Sequence, residues 1–408
     1  MARLRAALVR HRFLVTFVLL NSLMGVSVGL AKVTTPLYAL HLGANEALLG
    51  LVAGSQSAGI LLIGLPMGFL VDRYGPAGLF VIGSLCAGAM YMVVPLVPSA
   101  MFLVGCTFVI SFFMPFRFVS LNTVFLKQLE VLGEEKAGWA RGSHMAGTTM
   151  IGPALAATLI QVSSYQHTYW VIAALFLLTM FLSPLVFSQH EARRSAPAGA
   201  RAENGTRTLS WRAVRAQLVL IGRDVDLRGA CMVDFTGQAI MMFYTFFIVV
   251  IAIVQLGLGA DEASGLVGAQ GFSYVVALFT LGPFANRLGQ NSVYALSAGL
   301  VALALVLLGT AAAPPLLWIG GLLLGVGLGL LQIVNLMRFA RIGGRLGRGK
   351  IAGLNALVGP AGGMVGSMGG GLLGHQIGLQ TVFLLFIPAL GLLLWQLHTQ
   401  RAQLLAEA

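Results

Sequence analysis

Long apolar runs recur along this chain of 408 residues, and they exclude water as its solvent. About 20 apolar residues are enough to cross the hydrocarbon layer of a membrane as a helix. Twelve such stretches are read at 13–39, 46–70, 77–97, 100–127, 140–162, 168–188, 228–256, 262–286, 292–312, 315–340, 350–374 and 379–399. The runs are continuous rather than alternating, which points to helices and away from a barrel of strands. Charged residues make up 9% of the chain and hydrophobic ones 58%, whereas soluble domains carry about a quarter charged. The expected fold class is therefore an all-α membrane protein with twelve transmembrane helices, and a lipid bilayer is its first partner.

Positive charge then orients the chain. Most of the 25 Lys and Arg fall in the N-terminal tail or in alternate loops. One set of loops holds Lys127, Lys136 and Arg141, then an Arg-rich cluster from Arg193 to Arg228, then Arg341, Arg345, Arg348 and Lys350. The opposite set holds Glu46, Asp261 and Glu262 and no Lys or Arg. Basic loops stay on the cytoplasmic side, so both termini are expected there, in a bacterial inner membrane. The formal net charge of +12 thus reads as topology, and no nucleic acid is expected as a partner. The basic start, with Arg3, Arg5, Arg10 and Arg12, is similar to the opening of a signal peptide. No clear cleavage site follows, so the first span is read as retained. Cys86, Cys106 and Cys231 lie inside apolar spans and fit neither a disulfide framework nor a metal site.

The longest polar stretch, 189–227, is rich in Pro, Gly, Ala, Ser and Arg, and a short amphipathic helix near Trp211 to Leu220 is one reading of part of it. It separates two halves, 1–188 and 228–408, that echo each other. Gly68-Phe-Leu-Val-Asp72-Arg73-Tyr-Gly75 ends span 2, and Gly282-Pro-Phe-Ala-Asn286-Arg287-Leu-Gly289 ends span 8. Gly152-Pro153 in span 5 matches Gly359-Pro360 in span 11, and Asn122 in span 4 pairs with Asn335 in span 10. Three echoes in one order argue for an internal repeat of six helices.

The twelve spans, the repeat, the long central loop and the G-x-x-x-D-R-x-G loop together resemble the major facilitator superfamily across essentially the whole chain. The resemblance implies two six-helix bundles related by a pseudo-two-fold axis. It also implies alternating access to a central site, in a protein expected to be a monomer. In that family the Asp of the loop motif sits near the start of helix 11 and favours the outward-facing state. Here that role falls to Asp72, with Gly68, Arg73 and Gly75 beside it. A carboxylate is stabilised at the positive end of a helix dipole and by nearby Arg. Gly68 is expected to let helices approach closely, and Gly75 suits a turn with positive φ. Two departures are visible: Pro76 and Ala77 follow where the family carries basic residues, and Asn286, next to Arg287, replaces the second Asp. Gly147-x4-Gly152-Pro153 resembles a motif of the antiporter branch and tilts the reading toward export. Glycines at four-residue steps, Gly362 to Gly374 and Gly321 to Gly329, favour close helix packing.

Helices 1, 4, 7 and 10 line the cavity in this superfamily, and each carries one conspicuous charge here: Lys32, Arg117, Asp234 and Arg338. A charge inside a membrane costs about 3 kcal/mol or more on insertion scales and faces water, a partner or a substrate. Two readings of Lys32 stay open, cavity or outer interface, and two of Arg338, cavity or inner rim. Arg117 is read as a cavity or gating residue that needs an anionic acceptor. Asp234, the only acid well inside a span, is the candidate for proton coupling, and His144 is read as structural. Asn21, Ser22, Asn122, Gln238 and Asn335 are candidates to orient a polar substrate, and Phe112, Phe116, Phe235, Phe243 and Tyr244 to form an apolar wall. Three bases against one acid favour a partly anionic, amphipathic organic compound. A drug-like molecule or a siderophore fits that description.

No nucleophile–base constellation, Walker loop or metal-ligand cluster is present, so no enzyme, cofactor or metal is expected. The leading reading is a proton-coupled exporter. Import of an organic anion or other nutrient, and a transporter-shaped receptor without flux, are the alternatives.

Overall fold

The computed structural model describes residues 2–132, 137–188, 221, 224–282, 287–288, 290–346 and 348–406. Most of the central linker, including Trp211 to Leu220, lies outside the described residues, as does Asn286. The first half holds α1 (Ala2–His41), α2 (Glu46–Tyr74), α3 (Pro76–Val93) and α4 (Ala100–Leu132). Next comes α5, which runs as Ala137–Ala146, a π-helical turn at Gly147–Ile151, and Gly152–Val162; α6 (Tyr165–Leu182) closes the half. The second half holds α7 (Val225–Val254), α8 (Ala260–Thr280), α9 (Gln290–Gly309) and α10 (Pro314–Leu346). Its α11 is Arg348–Met364, a π-helical turn at Val365–Gly369, and Gly370–Ile377; α12 is Val382–Ala406. Described residues form no strand.

Ten of these helices are long and apolar enough to cross a membrane. Of the other two, α11 is interrupted by Pro360 and its π turn, and α12 keeps a shorter apolar segment at Val382–Leu394. Large apolar side chains such as Leu62, Phe181, Val254 and Phe279 are exposed on the outside of the bundle, as lipid-facing residues should be.

Local chemistry sets the helix ends. Asn45 caps α2 by accepting from the Leu48 N–H at 2.9 Å, and Asp224 caps α7 by accepting from the Leu227 N–H at 2.9 Å. Because of that cap α7 begins at Val225, three residues before the expected 228. Gly75 adopts φ +84° between α2 and Pro76, which opens α3, as the loop motif requires. Gly43 and Gly257 end α1 and α7 with φ +73° and +65°. After each, the chain turns back: the Ala44 N–H donates to the Ala39 carbonyl and the Leu258 N–H to the Ala252 carbonyl. These matched turns are a fourth echo between the halves.

Packing repeats in the same way. In the first half α1 packs on α5 and α6, α2 on α4, and α3 on α4 and α6. In the second, α7 packs on α11 and α12, α8 on α10, and α9 on α10 and α12. Two six-helix bundles related by a pseudo-two-fold axis account for this pattern. Between them α2 meets α11, α5 meets α8, and α1 meets α7.

The glycine faces do what their spacing implies. Gly362, Gly366 and Gly370 lie against Phe235, Ala239 and Phe243 of α7, while Gly374 meets Leu379 of its own loop. Gly325 and Gly329 lie against α8. Gly147 and Gly152 take the matching place in the first half, against Gly25 and Gly29 of α1. At Gly68 a Cβ would meet nothing within 4 Å among the described residues, so the expected close helix contact is not seen there.

Candidate functional site

A cavity of about 370 Å³ lies between the two bundles. From α1 it takes Val28, Ala31, Lys32 and Thr35, which at steps of three and four form one helical face. From α7 it takes Asp234, Gln238 and Met242, again one face. Helix α4 adds Thr107, Ile110, Ser111, Met114 and Phe118. The wall is completed by Gln56 and Ser57 of α2, Tyr91 of α3, His144 and Thr148 of α5, Gln332 of α10, and Gly359 and Pro360 of α11.

Hydrogen bonds between helices hold parts of this wall. Ser55 and Thr107 join α2 to α4 through their hydroxyls, and the Gly59 N–H donates to Ser111 Oγ at 3.1 Å. Thr148 Oγ1 lies 3.3 Å from His144 Nε2, and the His144 ring meets Phe118 edge-on at 4.8 Å. Where α2 begins, His375 Nδ1 of α11 lies 3.3 Å from Glu46 Oε2, and the Gly50 and Gly371 backbones come close one turn further on.

Lys32 and Asp234 enter this cavity from opposite bundles. Asp234 is 4% exposed, and its carboxylate faces Gly359 of α11. Among the described residues Lys32 makes no hydrogen bond or ion pair through its ammonium. It is among the residues that line the cavity, which accords with the first of its two readings.

Other expected residues are elsewhere. Arg117 is fully buried between α3, α4 and α6. It donates to Thr179 Oγ1 at 2.7 Å and lies 3.9 Å from the Phe176 ring centroid. The reason is angular: on α4 it falls roughly 75° from the middle of the lining face at 3.6 residues per turn, which turns it toward α6. Arg338 pairs with Asp226 at 3.2 Å in the first turn of α7, away from the cavity lining. Asn21 donates to Ser143 Oγ at 2.9 Å and ties α1 to α5 rather than lining the cavity. Asn122 is exposed on α4, one turn beyond Phe118, and is not among the residues that line the cavity. Of the expected aromatic wall, Phe112 and Phe116 pack among α4 neighbours, and Phe243 packs on Phe247 and Phe383. The apolar lining comes instead from Met114, Met145, Met242, Ile60 and Phe118.

The charge balance changes accordingly. One Lys faces one Asp across the cavity, rather than three bases against one acid. Gln56 and Gln332 belong to the site although the sequence reading passed over them. Each is an amide inside an apolar run, which was the available signal.

Of the gating residues, Arg73 is exposed, with its guanidinium 5.3 Å from the Tyr74 ring centroid. Arg287 is also exposed, and the Asp72 side chain lies outside what is described.

The sequence profile of the Major Facilitator Superfamily matches residues 17–259 and 235–403. The chain belongs to the major facilitator superfamily. It is therefore a transporter and not an enzyme. A crystal structure of a point mutant of the nucleoside transporter NupG superposes with a TM-score of 0.76 at 16% identity, covering 95% of this chain and 99% of that one. NupG itself gives 0.74 at 13% identity, covering 96% and 98%. The human organic anion transporter MFSD10 (TETRAN) gives 0.61 at 15% identity, covering 95% and 99%. At these identities the likeness shows the superfamily fold and leaves the cargo to the cavity's own chemistry. No curated protein matches the chain by sequence.

Arg117 stands off the cavity, buried in the packing between α3, α4 and α6. Arg117→Met is expected to leave flux per folded molecule within about twofold, since Arg117 does not line the cavity and loss of its buried bond to Thr179 shows in stability instead. A loss above tenfold in reconstituted vesicles would place Arg117 on the transport path.

Proposed function

We propose that this protein is a secondary active transporter of a small amphipathic organic compound carrying an anionic group, moved by alternating access at the central cavity. The observation that carries the reading is Lys32, a cation facing the cavity with no protein partner among the described residues. A charge placed at that depth costs about 3 kcal/mol, and an anionic cargo group offsets the cost during the cycle. Apolar Met and Phe side chains beside it accept the rest of the molecule. The cavity's size suits a compact organic compound rather than a bare ion.

Coupling is assigned to Asp234. It stands in the opposite bundle, 4% exposed, and faces the Gly359-Pro360 segment of α11. A cation taken up there, a proton in the simplest case, changes the charge across the cavity from α7. The loop after α2, with Asp72, Arg73 and Gly75, acts as the inner latch, and Glu46 with His375 closes the outer rim. Export is the direction put forward, on the span 5 resemblance. Gly152 lies against Gly29 of α1 and Gly359 against Asp234 and Gln238 of α7, so packing in both halves is a second use of the glycine–proline segments. A second reading, import of a neutral polar compound, draws on the amides Gln56, Gln238 and Gln332 in the wall and on the likeness to NupG, a nucleoside transporter.

Flux of labelled organic anions and nucleosides, measured in both directions across vesicles with an imposed pH gradient, tests the assignment. Asp234→Asn is expected to lose at least tenfold of gradient-driven flux while exchange at equal pH persists. Full gradient-driven flux in that variant would remove Asp234 from the coupling role.

A further inference from the structure

Behind the cavity wall lies a second chamber of about 20 Å³, between α7, α8 and α10. Its polar lining is Asp234, Gln238, Tyr274, Gln332 and Asn335. Three of these, Asp234, Gln238 and Gln332, also face the main cavity, so the two spaces share a wall of side chains. A space of this size holds one particle as large as a water molecule.

Asn335 is the informative member. It is 1% exposed, and its Nδ2 donates to the Ala230 carbonyl at 3.1 Å. That bond sets which way the amide points. Its other pole, Oδ1, is buried and has no hydrogen-bond partner among the described residues. A buried carbonyl oxygen left unmatched costs about 1–3 kcal/mol, and such a group calls for a ligand. Gln238 and Gln332 make no side-chain hydrogen bonds to the described protein either.

We propose that this chamber seats a single sodium-sized cation, held by the Asp234 carboxylate and Asn335 Oδ1, with the Gln238 and Gln332 amide oxygens available from the cavity side. The donors are all hard oxygens, which suit alkali and alkaline-earth cations over transition metals. No His or Cys is among them, and no cluster of three such ligands occurs among the described residues. One carboxylate gives one negative charge, which matches a monovalent ion. The single-particle volume favours sodium or lithium over larger cations. Binding at this seat stands on its own. Its role in driving transport rests on the reading of the cavity above, because a cation there bridges α7 and α10, two of the helices that line it.

The test uses purified full-length protein and the ion alone, with no organic cargo. Binding of radioactive sodium is measured directly, and thermal unfolding is followed in sodium, lithium, potassium or choline chloride at one ionic strength. Saturable sodium binding is expected, with a rise in unfolding temperature of about 2–4 °C or more in sodium and none in choline. Asp234→Asn is expected to abolish both, and Gln332→Ala, which spares the Asn335–Ala230 bond, to weaken sodium binding about tenfold. Equal unfolding temperatures in all four salts, or absence of saturable sodium binding to the unmodified protein, would overturn the proposal and leave the chamber to a water molecule. That result would not touch the flux test, which reads the cavity independently.

Discussion

A Lys32→Met variant is expected to be more heat-stable than the unmodified protein and almost inactive in transport. Both effects come from one fact: the ammonium faces the cavity and, among the described residues, meets no acceptor. Removing the charge relieves a cost of about 3 kcal/mol on insertion scales, less what cavity water already returns. Methionine keeps a long unbranched side chain and fills irregular apolar space, so the void left behind is small. A net gain of about 1 kcal/mol corresponds to roughly 2–4 °C in unfolding temperature for a domain of 150–250 residues. Transport moves the other way. Truncating one member of a desolvated charge pair costs 2–5 kcal/mol in binding, which is about 30-fold or more in affinity for an anionic cargo. Thermal unfolding in detergent and flux in vesicles, on the same preparation, read the two signs. Lower stability with intact flux would make Lys32 a packing residue and end the anionic assignment.

The fold was legible because lipid leaves a chain few choices. Backbone groups in hydrocarbon must satisfy each other internally, so runs such as 13–39 and 100–127 had to be helices. The repeat was legible through residues with fixed backbone needs, such as Gly75 and the paired Gly-Pro segments. The site was only half legible. Lys32, Asp234 and Gln238 line the cavity, but Arg117 and Arg338 do not. A charge inside an apolar run announces that it has a partner, yet it does not say whether the partner is cargo or protein. For Arg117 the partners are Thr179 and the ring of Phe176 on α6; for Arg338 the partner is Asp226 on α7. Those contacts join residues far apart in the chain, and a rotation of roughly 75° on one helix separates a cavity side chain from a buried strut. Gln332 shows the opposite case. A single amide among leucines and glycines was visible, but only the packing of α10 against α7 put it on two cavities at once.

Gly366→Val is expected to prevent α7 and α11 from docking. Gly362, Gly366 and Gly370 form the seam along which α11 lies on α7. A Cβ at Gly366 would overlap the Ala239 carbonyl and crowd the rest of its backbone. Flexible side chains can step aside, but helix backbone cannot, so the two helices must separate along the whole seam. Overpacking a core costs about 1–3 kcal/mol when side chains can give, and the cost here exceeds that range because none is available to give. The folded, monodisperse fraction in size-exclusion chromatography should fall below about a tenth of the parent's, which takes a loss of about 6 kcal/mol or more from a stability of about 5 kcal/mol. Gly68→Ala is the matched control. Among the described residues a Cβ there meets nothing within 4 Å, and Gly68 sits inside α2, where alanine is favoured over glycine by about 1 kcal/mol. Its unfolding temperature should hold or rise. The same seam sets Asp234 against Gly359, so the helix contact that Gly366 permits also positions the acid assigned to coupling. Gly359→Ala separates the two roles, because a Cβ there meets only the Asp234 and Gln238 side chains at ordinary contact distance and leaves the Gly366 seam intact. A protein that folds but loses gradient-driven flux would tie coupling to the closeness of α7 and α11, whereas parental folding and flux in Gly366→Val would refute the seam itself.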